Sequence, residues 1–400
     1  MTRYSYSMSD SALPNPLKDK NLLLSLGLII FIQLGISSII PILPLMSDEL
    51  GLSLGKVSLV VAAYTMPSIF LTPFAGYLAD RFGRKEILIP SLLFYSITGT
   101  GCALAPSFSM LIWLRLLQGI SVATFGVLFS TIIGDLYSGK ERVRNMGYIT
   151  TTFSVCTAVI PLAGGLLALI HWRLPFALPI LGFVYANLAF KHLYVPNPNH
   201  TPDTRSYLAN IKKSLFLHHG LILYSITLLA SAGSFGAYQI YMPKLVSVAF
   251  SGSPAQIGSM LTLSALVSGV ISTQLVAINT LFSKRSMLLA SFVLYIISMG
   301  MMPFAGTYWG LAIPMALSGL AQGMSYSTIL MFLSEASSAA QRGSIMAINA
   351  SMLTLGQSIA PYILLLPYMA GGTAWAFITA ASIMAGCVWL ALRLPQTHGQ

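Results

Sequence analysis

Twelve apolar stretches follow one another along this chain, each about 20 residues long and able to cross a hydrocarbon core of about 30 Å as one helix. In lipid every backbone N–H and C=O must be satisfied within its own segment or in a closed barrel, and runs of this length select the helix. Only 8% of the residues are charged, against about 25% in a soluble domain, while 56% are hydrophobic. Water cannot be the solvent for most of such a surface, so the expected fold class is an all-α integral membrane protein. The windows fall at 22–45, 54–79, 87–105, 109–134, 143–169, 174–194, 218–243, 255–280, 286–304, 307–334, 342–367 and 372–393. The first is too long for a signal-peptide core and is expected to remain as a span.

The net charge of +11 is a topology signal and not a nucleic-acid footprint, because the basic residues sit in short blocks between spans. If the N-terminus is cytoplasmic, 17 of the 21 Lys and Arg residues lie on the inner side. Lys56, Arg173 and Lys244 lie outside, and Arg115 lies within span four. Both termini are therefore expected in the cytoplasm of an inner or plasma membrane protein. The polar stretch at 196–216, with Pro196, Pro198 and Pro202, is expected to link a bundle at 1–195 to one at 217–400. Cys102, Cys156 and Cys387 all fall in apolar segments, which supports neither a disulfide framework nor a metal cluster.

The two halves repeat. At an offset of 200, Phe82-Gly83-Arg84-Lys85 falls on Phe282-Ser283-Lys284-Arg285, Asp135 on Glu335, Arg142 on Arg342 and Pro161 on Pro361. Gln118-Gly119 finds Gln322-Gly323 at an offset of 204, which predicts one extra helical turn in or after span four. Pseudo-symmetric six-helix bundles are an architecture that places a site near the midplane between them. Motifs such as HExxH and GxSxG are absent, as is the glycine-lysine pattern of a phosphate-cradling loop, so neither enzymatic chemistry nor nucleotide use is expected.

Between spans two and three, Gly76, Asp80, Arg81, Gly83, Arg84 and Lys85 set a burst of charge between glycines. The glycines permit a tight turn and close helix approach, and Asp80 can accept hydrogen bonds from basic neighbours or a helix N-terminus. This loop resembles the loop motif of the major facilitator superfamily, and the likeness extends over essentially the whole chain. Arg115, Gln118 and Gly119 are similar to that family's fourth-helix motif. Pro161, Gly164 and Gly165 partly match its fifth-helix antiporter motif, with Ile160 where glycine is usual. Pro41-Ile42-Leu43-Pro44 and Asp48-Glu49-Leu50-Gly51 resemble the opening of drug-exporting members, including the 12-helix Bcr/CflA-like branch. The resemblance implies that the Gly76 to Lys85 loop latches the two bundles. Val276 and Thr280 stand where Gly76 and Asp80 would repeat, so the second copy is expected to be weaker.

The same resemblance implies a cavity lined by helices one, four, seven and ten. Candidate substrate-binding residues are Gln33, Arg115, Phe125, Tyr238, Gln239, Tyr241, Gln322 and Tyr326, with Gln118 beside them and Tyr64 and Gln357 as neighbours. An amide facing lipid would leave hydrogen bonds unmet, which favours the glutamines. None of the ten acidic residues lies deep in a span. Asp135 and Glu335 are candidate proton sites, with ion pairs to Arg142 and Arg342 as the structural alternative. Arg115 and uncharged amides are expected to favour neutral, zwitterionic or anionic solutes over organic cations. The expectation is a monomeric secondary transporter with no cofactor, drawing on the proton-motive force to export small organic compounds. The alternatives are import or facilitation of a metabolite or organic anion, and a membrane receptor that moves nothing.

Overall fold

A computed structural model describes residues 18–195, 219–335 and 342–395, so the expected linker at 196–216 lies outside the described residues. The helical side chains at Asp80, Val276, Thr280 and Arg342 also lie outside them. The first bundle holds α1 (Lys20–Ser37), α2 (Leu43–Leu50), α3 (Leu54–Phe82), α4 (Arg84–Leu104), α5 (Phe108–Leu136), α6 (Gly139–Ala168) and α7 (Leu181–His192). The second holds α8 (Gly220–Ser234), α9 (Met242–Phe250), α10 (Pro254–Leu281), α11 (Lys284–Met301), α12 (Ala312–Glu335), α13 (Arg342–Ile363) and α14 (Leu365–Ala391). Among the described residues ten segments are long and apolar enough to cross a membrane. Helices α12 and α13 have spanning length but carry more polar residues, including Gln322 and Tyr326 in one and Asn349 and Gln357 in the other.

Local chemistry sets the helix ends. Asp19 caps α1 by accepting from the amides of Asn21 and Leu22, and Ser53, Ser107 and Ser283 cap α3, α5 and α11. Ser253 and Gln256 form a reciprocal capping box on α10, with Pro254 in its first turn. Gly83 alone makes the turn from α3 to α4, at φ +102, where a side chain is disfavoured. Its counterpart is spread over Phe282 and Ser283 in ordinary backbone regions, which is why the second copy needs no glycine. The Tyr137 hydroxyl donates to Asp19 at 2.6 Å, fastening the start of α1 to the end of α5. Burial and then this bond to a carboxylate hold its pKa above the usual phenol range.

Spans one and seven are each two helices in series. After α1 a turn and a short 3-10 segment at Ile40–Ile42 lead into α2, and after α8 a π-helical segment at Phe235–Tyr241 leads into α9. The breaks are related by the offset of 200. Pro44 and Pro243 sit in the first turns of α2 and α9, where a missing N–H costs nothing, so both spans run past their expected ends to Leu50 and Phe250.

The repeat is closer than the sequence suggested. A Cβ on Gly119 would strike the Tyr64 carbonyl and meet Pro67 at 3.0 Å, and one on Gly319 would strike the Ser264 carbonyl and meet Val267 at 3.0 Å. All three positions are displaced by 200, so Gly119 corresponds to Gly319 and no extra turn intervenes. The apparent match to Gly323 arose because α12 meets α10 through two glycines one turn apart.

Candidate functional site: the vestibule between the bundles

The turns at Gly83, Ser138 and Ser283 share one end of the molecule, here the basic face; those at Gly51, Ala105 and Ser251 share the opposite face. Two seams join the bundles, α6 against α10 and α3 against α13. Near the opposite face the α6–α10 seam is backbone against backbone. A Cβ on Gly165 would strike the Pro254 carbonyl, and one on Gly258 would lie 2.6 Å from that of Pro161. One turn further in, the Thr262 hydroxyl donates to the Ala158 carbonyl. The second seam repeats the first: Gly55 faces Leu365 where Gly165 faces Ala255, and Thr65 shares a 2.7 Å hydrogen bond with Ser358. Across the top, Lys244 of α9 approaches Asp48 of α2 at 3.9 Å, and Asp48 lines a cleft of about 270 Å³ together with Pro41, Pro44, Ser247 and Pro254.

Toward the basic face the glycine contacts of the α6–α10 seam relax to ordinary distances. A Cβ on Gly269 would meet Ser154 at 3.5 Å. One turn beyond it Thr150 and Ser272 are exposed. The bundles are therefore closed on each other near the opposite face, and the space between them on the basic side is the candidate vestibule. Among its walls are Gln322 and Tyr326 of α12. Ile313, 61% exposed, marks the lipid side of that helix, and Gln322 lies nine residues on, about 180° around. Tyr326, 44% exposed, follows on the same stripe. On α1 the open stripe is Leu23, Leu26, Ile30 and Gln33, whose amide donates to Thr157 at 2.8 Å. Gln239 and Gln357 are half-buried.

The other candidates stand elsewhere. Arg115 is 1% exposed, which excludes snorkelling to an interface, and it faces the interior of the first bundle. Its Nε donates to the Val60 carbonyl at 3.1 Å, Nη1 to Gln118 at 2.9 Å and Nη2 to the Gly35 carbonyl at 2.5 Å. The guanidinium lies over the Tyr64 ring at 4.5 Å and near Phe176 at 5.5 Å. A buried charge costs at least about 2.5 kcal/mol at membrane depth, and here carbonyls and ring faces offset that cost. Arg115 thus ties α5 to α1 and α3 and presents no free face to a cargo, which corrects the cavity assignment. Tyr64 donates to the Ile32 carbonyl, Phe125 packs on Tyr95, Tyr238 donates to Ser298, and Tyr241 to the Pro361 carbonyl. All four are buried within their own bundles. Gln118 is also buried, and its Nε2, against Gly99 and Pro179, has no hydrogen-bond partner.

At the basic face Arg84 pairs with Asp135, and Lys284 with Glu335. The Arg84 pair stands where a partnership of Asp135 with Arg142 was expected, and the expected partnership of Glu335 with Arg342 lies outside the described residues. They form because α4 and α11 begin beside the ends of α5 and α12, whereas the Arg142 guanidinium lies beside Gly134. The second loop therefore keeps the ion pair even though Val276 and Thr280 replace Gly76 and Asp80. Arg81 reaches Tyr77 and Phe82, and Lys85 lies over Phe190 at 5.4 Å. A Cβ on Gly76 would meet only Val127, at an ordinary 3.5 Å, so this glycine is not required by a close helix approach. In the fifth-helix motif Gly164 packs on the Ser38 carbonyl and Gly165 on α10, and Pro161 supplies the carbonyl facing Gly258.

Sequence reasoning missed Asp48 with Lys244, Thr65 with Ser358, and Gly258. Only pairing of the two halves reveals them. The break in span seven was legible by carrying the Pro41 position forward by 200 residues.

These observations agree with comparisons to known proteins. The chain is 27% identical to the bacillibactin exporter of Bacillus subtilis over 86% of its length and 88% of the relative's. It is 28% identical to multidrug resistance protein 2 of the same organism over 63% of its length and 65% of the relative's. It superposes on a D-xylose–proton symporter with a TM-score of 0.74 at 15% identity, covering 94% of this chain and 98% of the symporter. The human organic anion transporter MFSD10 superposes with a TM-score of 0.69 at 17% identity, covering 94% and 100%. The Major Facilitator Superfamily matches residues 26–251 and 224–400, and with two repeat-related bundles packed on each other near one face, the chain belongs to that superfamily of transporters.

Proposed function

We propose that this protein is a proton-coupled exporter of small organic compounds that works by alternating access between its two bundles. The observation that carries the reading is the pair of repeat-related seams, sealed by glycine contacts and hydroxyl bonds near the opposite face, with Gln322 and Tyr326 exposed on the stripe of α12 away from Ile313. A single vestibule that opens to one side at a time is what a carrier requires. The basic face is read as cytoplasmic because it carries the Lys and Arg blocks, and on this reading both termini and the vestibule face the cytoplasm. Similarity to drug and siderophore exporters supports outward transport. The protein acts as a monomer of a bacterial inner membrane, catalyses no covalent chemistry, and uses the proton-motive force in place of a cofactor.

Asp135 and Glu335, the carboxylates read as the proton sites, are engaged by Arg84 and Lys284. Proton exchange is thereby tied to the opening of these pairs. The test is flux in proteoliposomes after a pH jump, read in both directions. Uphill solute movement opposite to the proton gradient supports antiport, and movement along with protons overturns the direction.

A further inference from the structure

We propose that the vestibule ends in a layer of glutamine amides, Gln33, Gln322 and Gln357, that selects uncharged, hydrogen-bonding solutes over organic cations and anions. This rests on the transport reading above and names the chemistry of its cargo. At 1.5 Å per residue, Gln33 stands about 20 Å above Lys20, Gln322 about 20 Å above Glu335 and Gln357 about 22 Å above Arg342. One amide comes from the first bundle and two from the second, at a common depth. The Thr65–Ser358 bond closes the α3–α13 seam at about 25 Å by the same measure, so the amides lie just below the vertex where the bundles meet.

The repeat supports a built arrangement. Gln33 corresponds to Gly233 and Thr157 to Gln357, so each bundle places one glutamine on one or the other of two facing helices. Gln33 uses one N–H on Thr157 and keeps its carbonyl oxygen and second N–H. Among the described residues the side chains of Gln322 and Gln357 make no hydrogen bond, although each amide offers two donors and an acceptor. Tyr326, about one turn nearer the mouth, adds an aromatic face and a hydroxyl.

The charge balance is equally specific. Among the described residues a cation reaching the vertex finds no carboxylate, since Asp19, Asp48, Glu49, Glu86, Asp135, Glu141 and Glu335 all lie at helix ends or loops. Among the described residues an anion at this depth finds no free cation, because Arg115 is enclosed by Gly35, Val60, Gln118, Tyr64 and Phe176. A neutral solute with several donors and acceptors loses hydration at the vertex and recovers it from the amides.

The test uses the purified full chain with chloramphenicol as the uncharged amide-diol probe, tetraphenylphosphonium as the cation and salicylate as the anion. Binding is followed by tryptophan fluorescence in detergent, and counterflow in proteoliposomes. The neutral probe is expected to bind more tightly than either ion. Gln322→Leu or Gln357→Leu should weaken it about tenfold, the loss of one or two solute hydrogen bonds. Gln357→Glu should gain binding of tetraphenylphosphonium at pH 8, a result that misfolding cannot mimic. The proposal is overturned if the parent chain binds the cation as tightly as Gln357→Glu does, or if the leucine variants bind the neutral probe unchanged. Binding that follows this pattern without counterflow would uphold the amide layer and sink the transport reading.

Discussion

Lys284 binds the carboxylate of Glu335 at the basic face of the second bundle, 200 residues after Arg84 and Asp135 make the same pair in the first. The two partners are unequal in exposure: the Lys284 side chain is 4% exposed and that of Glu335 55%. Removing the carboxylate strands a buried ammonium, whereas removing the lysine leaves an acid that water can reach. Glu335→Gln should therefore lower the melting temperature in detergent more than Lys284→Met, with a difference of about 1–3 kcal/mol. Equal shifts would show that the lysine finds another partner. Because both bundles hold the pair, Arg84→Ala and Lys284→Ala should slow transport to a similar degree, in contrast to the asymmetry expected between Asp80→Ala and Thr280→Ala.

Arg115 is predicted to hold the first bundle together and not to touch cargo. Arg115→Lys should fail to restore stability, since a single ammonium cannot serve the diverging acceptors at Gly35, Val60 and Gln118. Thermal unfolding should fall for both Arg115→Lys and Arg115→Ala, while the ranking of neutral over charged probes in the residual flux is preserved. A change in that ranking would return Arg115 to the binding site.

Gly165 and Gly258 should govern the seal at the opposite face. A methyl on either one strikes the backbone of the facing helix, so Gly258→Ala and Gly165→Ala should shift the population toward a state open at that face. A cysteine at Ser251, beside the cleft, reports this through a membrane-impermeant maleimide, with Cys102, Cys156 and Cys387 buried. Labelling should rise several-fold; an unchanged rate would mean that the helices separate slightly and stay sealed.

The ion pair of Asp48 with Lys244 joins the two short helices α2 and α9 across the bundles. Cysteines at both positions, bridged by a bifunctional methanethiosulfonate, should stop transport, and reduction should restore it. Full activity of the bridged protein would show that these helices move together and not apart.

Much of this protein was legible from its sequence because membrane solvent imposes one-dimensional rules. Span lengths, the blocks of basic residues and the offset of 200 between Arg84 and Lys284 or Asp135 and Glu335 are properties of the chain order. Capping by Asp19, Ser53 and Ser253 is equally local, since each cap is satisfied within three residues. Tertiary structure alone decided which face each polar side chain meets. Arg115 and Gln322 both read as polar residues in cavity helices, yet carbonyls of α1 and α3 enclose the first while the second stands exposed. The same holds for Asp135, whose partner was chosen by the approach of α4 and not by its neighbours in sequence. Periodicity specifies a helix and its faces, but the partner of a face is set by the packing of segments a hundred or more residues apart, where distance along the chain carries no information about contact.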